Sequence, residues 1–428
     1  MTEQVRDRSI RSLPTAHVRH GRQRRSSGWR TVLSVFSSAL AVVLVSGASV
    51  AAITLNQLDA NIDEVILTGA NGEARSVPTV GEWEGGFNVL IVGVDNAEGQ
   101  QDENQRDGAT LNDVNILVHV AEDQQSAIAV SIPRDLVVPI PECPLPDGRT
   151  SYEMSAQPFN TAFGVGGLNC VVLTAEALTG LEIPYAGTIS FDGVAMMSTA
   201  VGGVDVCVDA PVFDPFTGLD LPTAGTHTVE GYTALAFLRT RYGVGDGSDL
   251  SRISSQQVYM SSLMRTLQSG GTLTDPTKLY GLAQVATKAM SLSSSLASID
   301  SMVSMALVLK DIPTESITFV QYPATTGLGG VYTGKAAPVE YLAEQLFEKI
   351  RNDEPFLLAE DSTGNGAALD PSAPSAPEPA PSETSTAEPG PSASPTVPPL
   401  PGEEPAEAEV LEGVLGQTAA QQTCSVAN

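Results

Sequence analysis

Three arginines, Arg239, Arg241 and Arg252, fall within fourteen positions of the stretch TVEGYTALAFLRTRYGVGDGSDLSRISSQQ, which runs from Thr228 to Gln257. A guanidinium is planar and offers paired donors that match a phosphate. In a chain of formal net charge −28, such crowding points to one anion site; for any single Arg, a surface ion pair is the plain alternative. Residues 230–239 carry a helical pattern, with Ala234, Leu235 and Leu238 on one face. On a continuing helix Arg239 and Arg241 would diverge by about 200°. They share a site only if the helix ends near Arg239, and Gly243-Val244-Gly245-Asp246-Gly247 supplies that ending. A new helix then starts near Asp249 or Ser251, both N-cap types. It places Arg252 and Gln256 four apart, as neighbours. A helix N-terminus disfavours a cation and favours an anion, so Arg252 there makes sense beside a phosphate.

Further candidates lie at the ends of apolar runs. FNVLIVGVD (87–95) ends in Asp95, SAIAVSIPRD (126–135) ends in Arg134 and Asp135 after Pro133, and Asp113 stands just before VNILVHV (114–120). Ligands in α/β sheets lie beyond the carboxyl ends of strands. If the first two strands are antiparallel neighbours, Asp95 and Asp113 share one edge. Paired carboxylates repel unless a cation or a proton lies between them. With oxygen ligands and a phosphate nearby, Mg²⁺ is the natural cation, Mn²⁺ its substitute. The alternative makes Asp95 a turn residue and Asp113 a cap.

Unbroken apolar strands are buried on both faces and imply an α/β fold, a layered α-β-α domain with a central mixed sheet. Further strands are expected at 185–191, 203–209 and 317–323. Helices are expected at 167–180, 193–201, 230–239, 252–268, 277–291, 299–309 and 338–351. The domain spans 87–352.

Eight of the 22 Lys and Arg lie in residues 1–30, with two of the 50 acidic residues. The acidic remainder argues against nucleic-acid binding, which needs a basic face. Residues 31–53 carry no charge and as a helix cover about 34 Å, enough to span a bilayer. The basic arm before them predicts a cytoplasmic N-terminus and an extracellular domain; a cleaved signal peptide is the alternative. Residues 54–86 read as a stalk. Residues 353–428 read as an acidic, disordered tail, because 360–408 is Pro, Ser, Ala and Glu with few large apolar residues. The four cysteines fit no zinc spacing. Outside the cell a disulfide is permitted, and Cys143 and Cys170, close in sequence and both in Gly/Pro-rich turns, are the expected pair. Cys207 reads as a core residue and Cys424 as isolated.

Weaker signals fall away. GGVYTGK (329–335) lacks the Ser/Thr that completes a phosphate loop. His119 in a buried strand reads as a satisfied core histidine. Gly164, Gly166 and Gly167 read as a turn before a helix, with close approach to a ligand as the other option.

NVLIVGVD, LNDVNILVHV, AVSIPRDLVVPIP, FNTAFGVGG, VGGVDVCVD, GLDLPTAGTHTVEGYTALAFLRTRYG and SDLSRISSQQ, in this order across 87–268, resemble the LytR-CpsA-Psr family of bacterial cell-envelope proteins. The resemblance implies a membrane-anchored transferase that moves a glycopolymer from a polyprenyl pyrophosphate carrier to a sugar hydroxyl of peptidoglycan or a related wall polymer. It implies a Mg²⁺ site at Asp95 and Asp113, pyrophosphate binding by Arg134, Arg239, Arg241 and Arg252 with Gln256 beside them, and an apolar tunnel for the polyprenyl chain. The family usually has Arg two positions before the second aspartate; here that position is Leu111, and Arg106 is a candidate replacement. Composition adds a weak pointer to a Gram-positive, high-GC source. Two other readings stay open: a lipid-pyrophosphate hydrolase using water as acceptor, and a non-catalytic surface protein that binds wall polymer or regulates envelope genes.

Overall fold

The computed structural model describes residues 29, 32–38, 63–69, 73, 85–95, 111–145, 147–271, 275–373 and 408–428. The chain divides into two units, Met1–Asn56 and Gln57–Asn428. In the first, residues 32–38 are helical and exposed; most of the expected membrane segment 31–53 lies outside the described residues.

The second unit is built on an eight-stranded sheet. In chain order its strands are β1 (Asp63–Val65), β2 (Phe87–Val94), β3 (Asn112–Val120), β4 (Ala127–Ser131), β5 (Tyr185–Ser190), β8 (Met290–Ser293), β9 (Ile317–Gln321) and β11 (Gly416–Thr418). A four-stranded sheet adds β6 (Val204–Val208), β7 (Gly225–Val229), β10 (Ala367–Leu369) and β12 (Thr423–Ser425). The large sheet runs β1-β8-β5-β2-β3-β4-β9-β11. It is mixed: β2 pairs antiparallel with β3 and parallel with β5, and β4 pairs antiparallel with β3 and parallel with β9.

The helices are α1 (Thr161–Thr179), α2 (Phe191–Val201), α3 (Gly231–Arg239), α4 (Asp249–Ser269), α5 (Pro276–Ala289), α6 (Ile299–Asp311) and α7 (Glu340–Arg351). Alternation along the strands feeds two cores. Leu90, Val92, Leu117 and Val130 meet Leu168, Val171 and Val172 of α1 and Leu346 and Phe347 of α7 on one face. Phe87, Val89, Ile116, Ala129 and Phe319 meet Met260 and Met264 of α4 and Met305 of α6 on the other. This is the expected α-β-α layering. Each fully buried side chain such as Leu90 contributes about 2 kcal/mol of transfer energy.

Among the described residues α1 alone is long and apolar enough to cross a membrane, and half of its most apolar window is buried; it is a core helix. Gly166 and Gly167 break its path, with Gly167 at φ 64°. A Cβ on Gly166 would lie 3.0 Å from Cys170 Cβ and 3.3 Å from Cys143 Cβ, so the break makes room for the Cys143–Cys170 disulfide. Gly166 and Gly167 thus form the turn expected before the helix, and a short helical segment from Thr161 precedes them.

Three expectations are corrected. The stalk enters the fold: β1 extends the sheet beside β8, and Leu67 is in the core. Residues 353–373 and 408–428 are not a disordered tail. β11 covers the outer edge of β9, β12 sits between β6 and β10, and Phe356–Leu358 pairs with Glu409–Leu411. Burial of Leu411, Val414 and Ala419 rewards that return, a signal hidden by the Pro/Ser-rich residues before it; 374–407 lies outside the described residues. Cys207 is not a lone core residue, nor is Cys424 isolated, since the two form a second disulfide.

Candidate active site

The site lies where β2 ends and β3 begins. Gly93 pairs with Val114 and Val94 with Asn112, so Asp113 is the extra residue of a bulge. Asp95 follows β2 and is tied back to the same end: its N–H donates to Leu111 O (3.2 Å), and Leu111 N–H donates to Asp95 Oδ1 (2.9 Å). The two aspartates are buried and share one edge, as the antiparallel pairing requires. Position 111 thus works here through its backbone. Arg106 lies outside the described residues.

Arg134 follows Pro133 just beyond β4. Asn115 fixes this corner, accepting at its carbonyl from Ile132 N–H (2.8 Å) while its amide accepts from Asn112 Nδ2 (2.6 Å). Arg134 Nη1 donates to Asp113 Oδ1, and its Nε lies 3.5 Å from Asp249 Oδ1 and 3.7 Å from Asp135 Oδ2. Burial opposes its charge, but Asp113, Asp249 and Asp135 outweigh burial and hold its pKa above the ordinary arginine value.

The helix α3 ends at Arg239 and Thr240 is extended (φ −60°, ψ 135°), the ending that the two arginines need. Arg239 stacks over the Phe191 ring, 4.1 Å from its centroid. Phe191 directly follows Ser190, the register partner of Val94, so Arg239 stands at the Asp95 end. Buried Asp214 orients the next residues, accepting from Thr240 Oγ1 (2.6 Å) and Arg241 N–H (3.3 Å). The N-cap of α4 is Ser248, which accepts from Ser251 N–H, rather than Asp249 or Ser251. Arg252 is 5% exposed. Its Nη2 donates to Asp113 O (3.1 Å) and lies 2.7 Å from Asp249 Oδ1. Burial lowers its pKa, Asp249 raises it, and the charges of Arg134 and Arg241 lower it again. The guanidiniums of Arg134 and Arg241 therefore each lie within electrostatic reach of Arg252. The Nε atoms of Arg134, Arg241 and Arg252 are buried and make no hydrogen bond among the described residues. Buried donors without a hydrogen bond call for a partner, and a phosphate oxygen is one that guanidiniums suit.

The family model described as LytR_cpsA_psr family matches residues 50–350. The chain belongs to the LytR_cpsA_psr family. The cell wall biosynthesis protein LcpA of Corynebacterium glutamicum is 29% identical over 355 residues, covering 76% of this chain and 65% of that protein. The probable cell wall biosynthesis protein LcpB of the same organism is 30% identical over 270 residues, 61% of this chain and 58% of that one. The chain thus spans about three fifths of the length of these relatives. The Bacillus subtilis polyisoprenyl-teichoic acid–peptidoglycan teichoic acid transferase TagT is 26% identical over 258 residues, 58% of this chain and 72% of that one. Among solved structures, a LytR-Csp2A-Psr enzyme from Actinomyces oris aligns at 22% identity and TM-score 0.49, over 68% of this chain and 94% of that one.

In this LytR_cpsA_psr domain Gln256 ties two helices together. Its Nε2 donates to Leu238 O (2.7 Å), locking α4 to the last turn of α3. Two charged residues beside the site are not marked as site residues by the sequence. Asp249 bridges Arg134 and Arg252; its i,i+3 spacing to Arg252 was the available signal. Lys335, from the discarded GGVYTGK run, pairs with Asp135 at 2.6 Å; no local pattern marks it.

Proposed function

We propose that this chain is a phosphotransferase that moves a glycopolymer from a polyprenyl pyrophosphate to a sugar hydroxyl of peptidoglycan or a related wall polymer. The observation that carries this reading is the meeting of Arg134 and Arg252 at Asp113, with Arg241 within electrostatic reach of Arg252 and buried N–H groups left over. The names of the teichoic acid transferase and the cell wall biosynthesis relatives support it.

Phosphoryl transfer is catalysed mainly by position and by stabilised charge. Arg134, Arg241 and Arg252 bind the pyrophosphate oxygens, and Arg239 guards the Asp95 end. Asp249 keeps the buried arginines paired before substrate arrives. The acceptor oxygen attacks the phosphorus bonded to the glycopolymer, and the bond to the bridging oxygen breaks. Polyprenyl phosphate leaves, and a phosphodiester remains on the acceptor. Asp95 takes the hydroxyl proton. Asp95 and Asp113 present hard oxygen donors at one edge and would hold Mg²⁺, or Mn²⁺, which would offset charge on the pyrophosphate. Residues 31–53 would anchor the enzyme in the membrane with its catalytic domain outside the cell.

The test uses a short-chain polyprenyl pyrophosphate glycan, with and without a peptidoglycan acceptor, on wild type and Arg252→Ala. Acceptor-dependent phosphodiester product that falls at least a hundredfold in the variant is expected. Hydrolysis alone would make the protein a pyrophosphate hydrolase; no turnover by a folded protein would sink the enzyme reading.

A further inference from the structure

The loop that carries Arg241 is held from outside by a segment far along the chain. Residues 240–248 join α3 to α4 and include Gly243, Gly245 and Gly247. Such a backbone has much conformational freedom to lose. The segment Thr423–Asn428 restrains it. Gly245 N–H donates to Val426 O (2.8 Å), Asn428 N–H donates to Gly243 O (3.2 Å), and Asn428 Nδ2 donates to Tyr242 O (3.1 Å). Val244 and Ala427 form an antiparallel bridge. The segment is itself anchored. Cys424 is bonded to Cys207, and Ala427 N–H donates to Asp209 Oδ1 (2.8 Å). The hydroxyls of Ser425 and Ser255 are 2.7 Å apart. Ser255 is one turn beyond Arg252 on α4, so the same six residues hold the loop of Arg241 and the helix of Arg252.

We propose that Thr423–Asn428 is a positioning clasp for the anion site, fixing the Tyr242–Gly245 backbone so that Arg241 stays beside Arg252. The clasp rests on the reading of this site as one that binds a pyrophosphate. Its physical reason is repulsion: two guanidiniums brought together without their anion drive the looser one toward solvent. A loop that spends only a fraction of its time in place weakens binding by that fraction. The clasp lies beyond residue 350, where the family match ends.

The test places a protease site within residues 374–407 of the full chain. After cleavage, the fragment from 408 onward remains attached through Cys207–Cys424 until dithiothreitol reduces that bond to two thiols. Geranyl diphosphate with Mg²⁺ is the probe, and uncut protein under the same reductant controls for loss of Cys143–Cys170. Cut, oxidised protein should bind like the intact chain. Cut, reduced protein stripped of the fragment should lose at least tenfold in affinity, and a synthetic peptide of residues 408–428 should restore it. Unchanged affinity after stripping overturns the clasp. If the stripped protein unfolds, the uncut Asn428→Ala/Asp209→Ala variant decides: affinity should fall about threefold or more while the ligand-free melting temperature holds, and unchanged affinity rejects the clasp. If the intact protein does not bind the probe, the pyrophosphate reading fails instead. Amide exchange over Tyr242–Gly247 then judges the clasp, which is upheld by faster exchange in the double variant and refuted by equal rates.

Discussion

Arg252 donates to the backbone carbonyl of Asp113, while the side chain of Asp113 accepts from Arg134. One residue thus holds two arginines by two different groups, and substitution separates them. Asp113→Asn removes the carboxylate charge and keeps the carbonyl. We expect this variant to keep Arg252 docked, to lose the Mg²⁺-dependent part of pyrophosphate binding, and to lose about 2–3 kcal/mol of stability as Arg134 is left undercompensated. Thermal shift titrations with and without Mg²⁺ check it; full retention of the Mg²⁺ response would remove Asp113 from the metal site.

On the proposed reading, Arg241 binds substrate at some cost in stability. Its Nε has no hydrogen bond among the described residues, and its charge opposes that of Arg252. Arg241→Met should leave the melting temperature equal or higher while pyrophosphate affinity falls at least tenfold. A melting temperature several degrees lower would mean that Arg241 is structural.

The reach of sequence reasoning follows from locality. Strands β2, β3 and β4 are legible because both faces are buried, leaving continuous apolar runs. Arg134 and Arg252 are legible because strand ends and helix starts are marked by Pro133 and by Ser, Asp and Gly. His119 behaves as expected, with Asn88 Oδ1 and Asp353 Oδ1 each 2.8 Å from its ring nitrogens. What stays hidden depends on distant partners. Lys335 meets Asp135 across 200 residues, and Cys424 meets Cys207 across 217. Neither end carries a local pattern that names the other. The segment from 408 onward is too short and too mixed to announce strands, and it folds because edges prepared elsewhere accept it.

Acid should loosen the start of α4. Hydrogen bonds from Ser248 and Ser251 hold the Asp246 carboxyl down to about 2, below its ordinary value of 3.8. Its folded-state pKa is depressed, so the stability it adds is present above about pH 4 and is lost as pH falls toward 2. Asp246→Asn should flatten the melting temperature profile across that window and leave neutral pH little changed. A profile identical to wild type would refute this assignment.

The two disulfides should differ in worth. Chain-entropy arguments give about 3.5 kcal/mol for the 27-residue separation of Cys143–Cys170 and about 5 kcal/mol for the 217-residue separation of Cys207–Cys424. Cys424→Ala should therefore lower denaturant midpoints more than Cys170→Ala, measured by urea unfolding of each variant. The reverse order would show that native packing, rather than the unfolded chain, dominates.

The strand β12 lies between β6 and β10, although it follows both in the chain. Until β12 arrives, β7 is the only strand partner that β6 has in this sheet. Cys207 waits there as a thiol after Cys143 and Cys170 are already present and 27 residues apart. The order of appearance favours closing the near pair first, and so protects the far pair from exchange. Completion of the smaller sheet brings in the same segment, Thr423–Asn428, that bonds to the loop of Arg241. A molecule without β12 in place would lose every bond that this segment makes to residues 242–245.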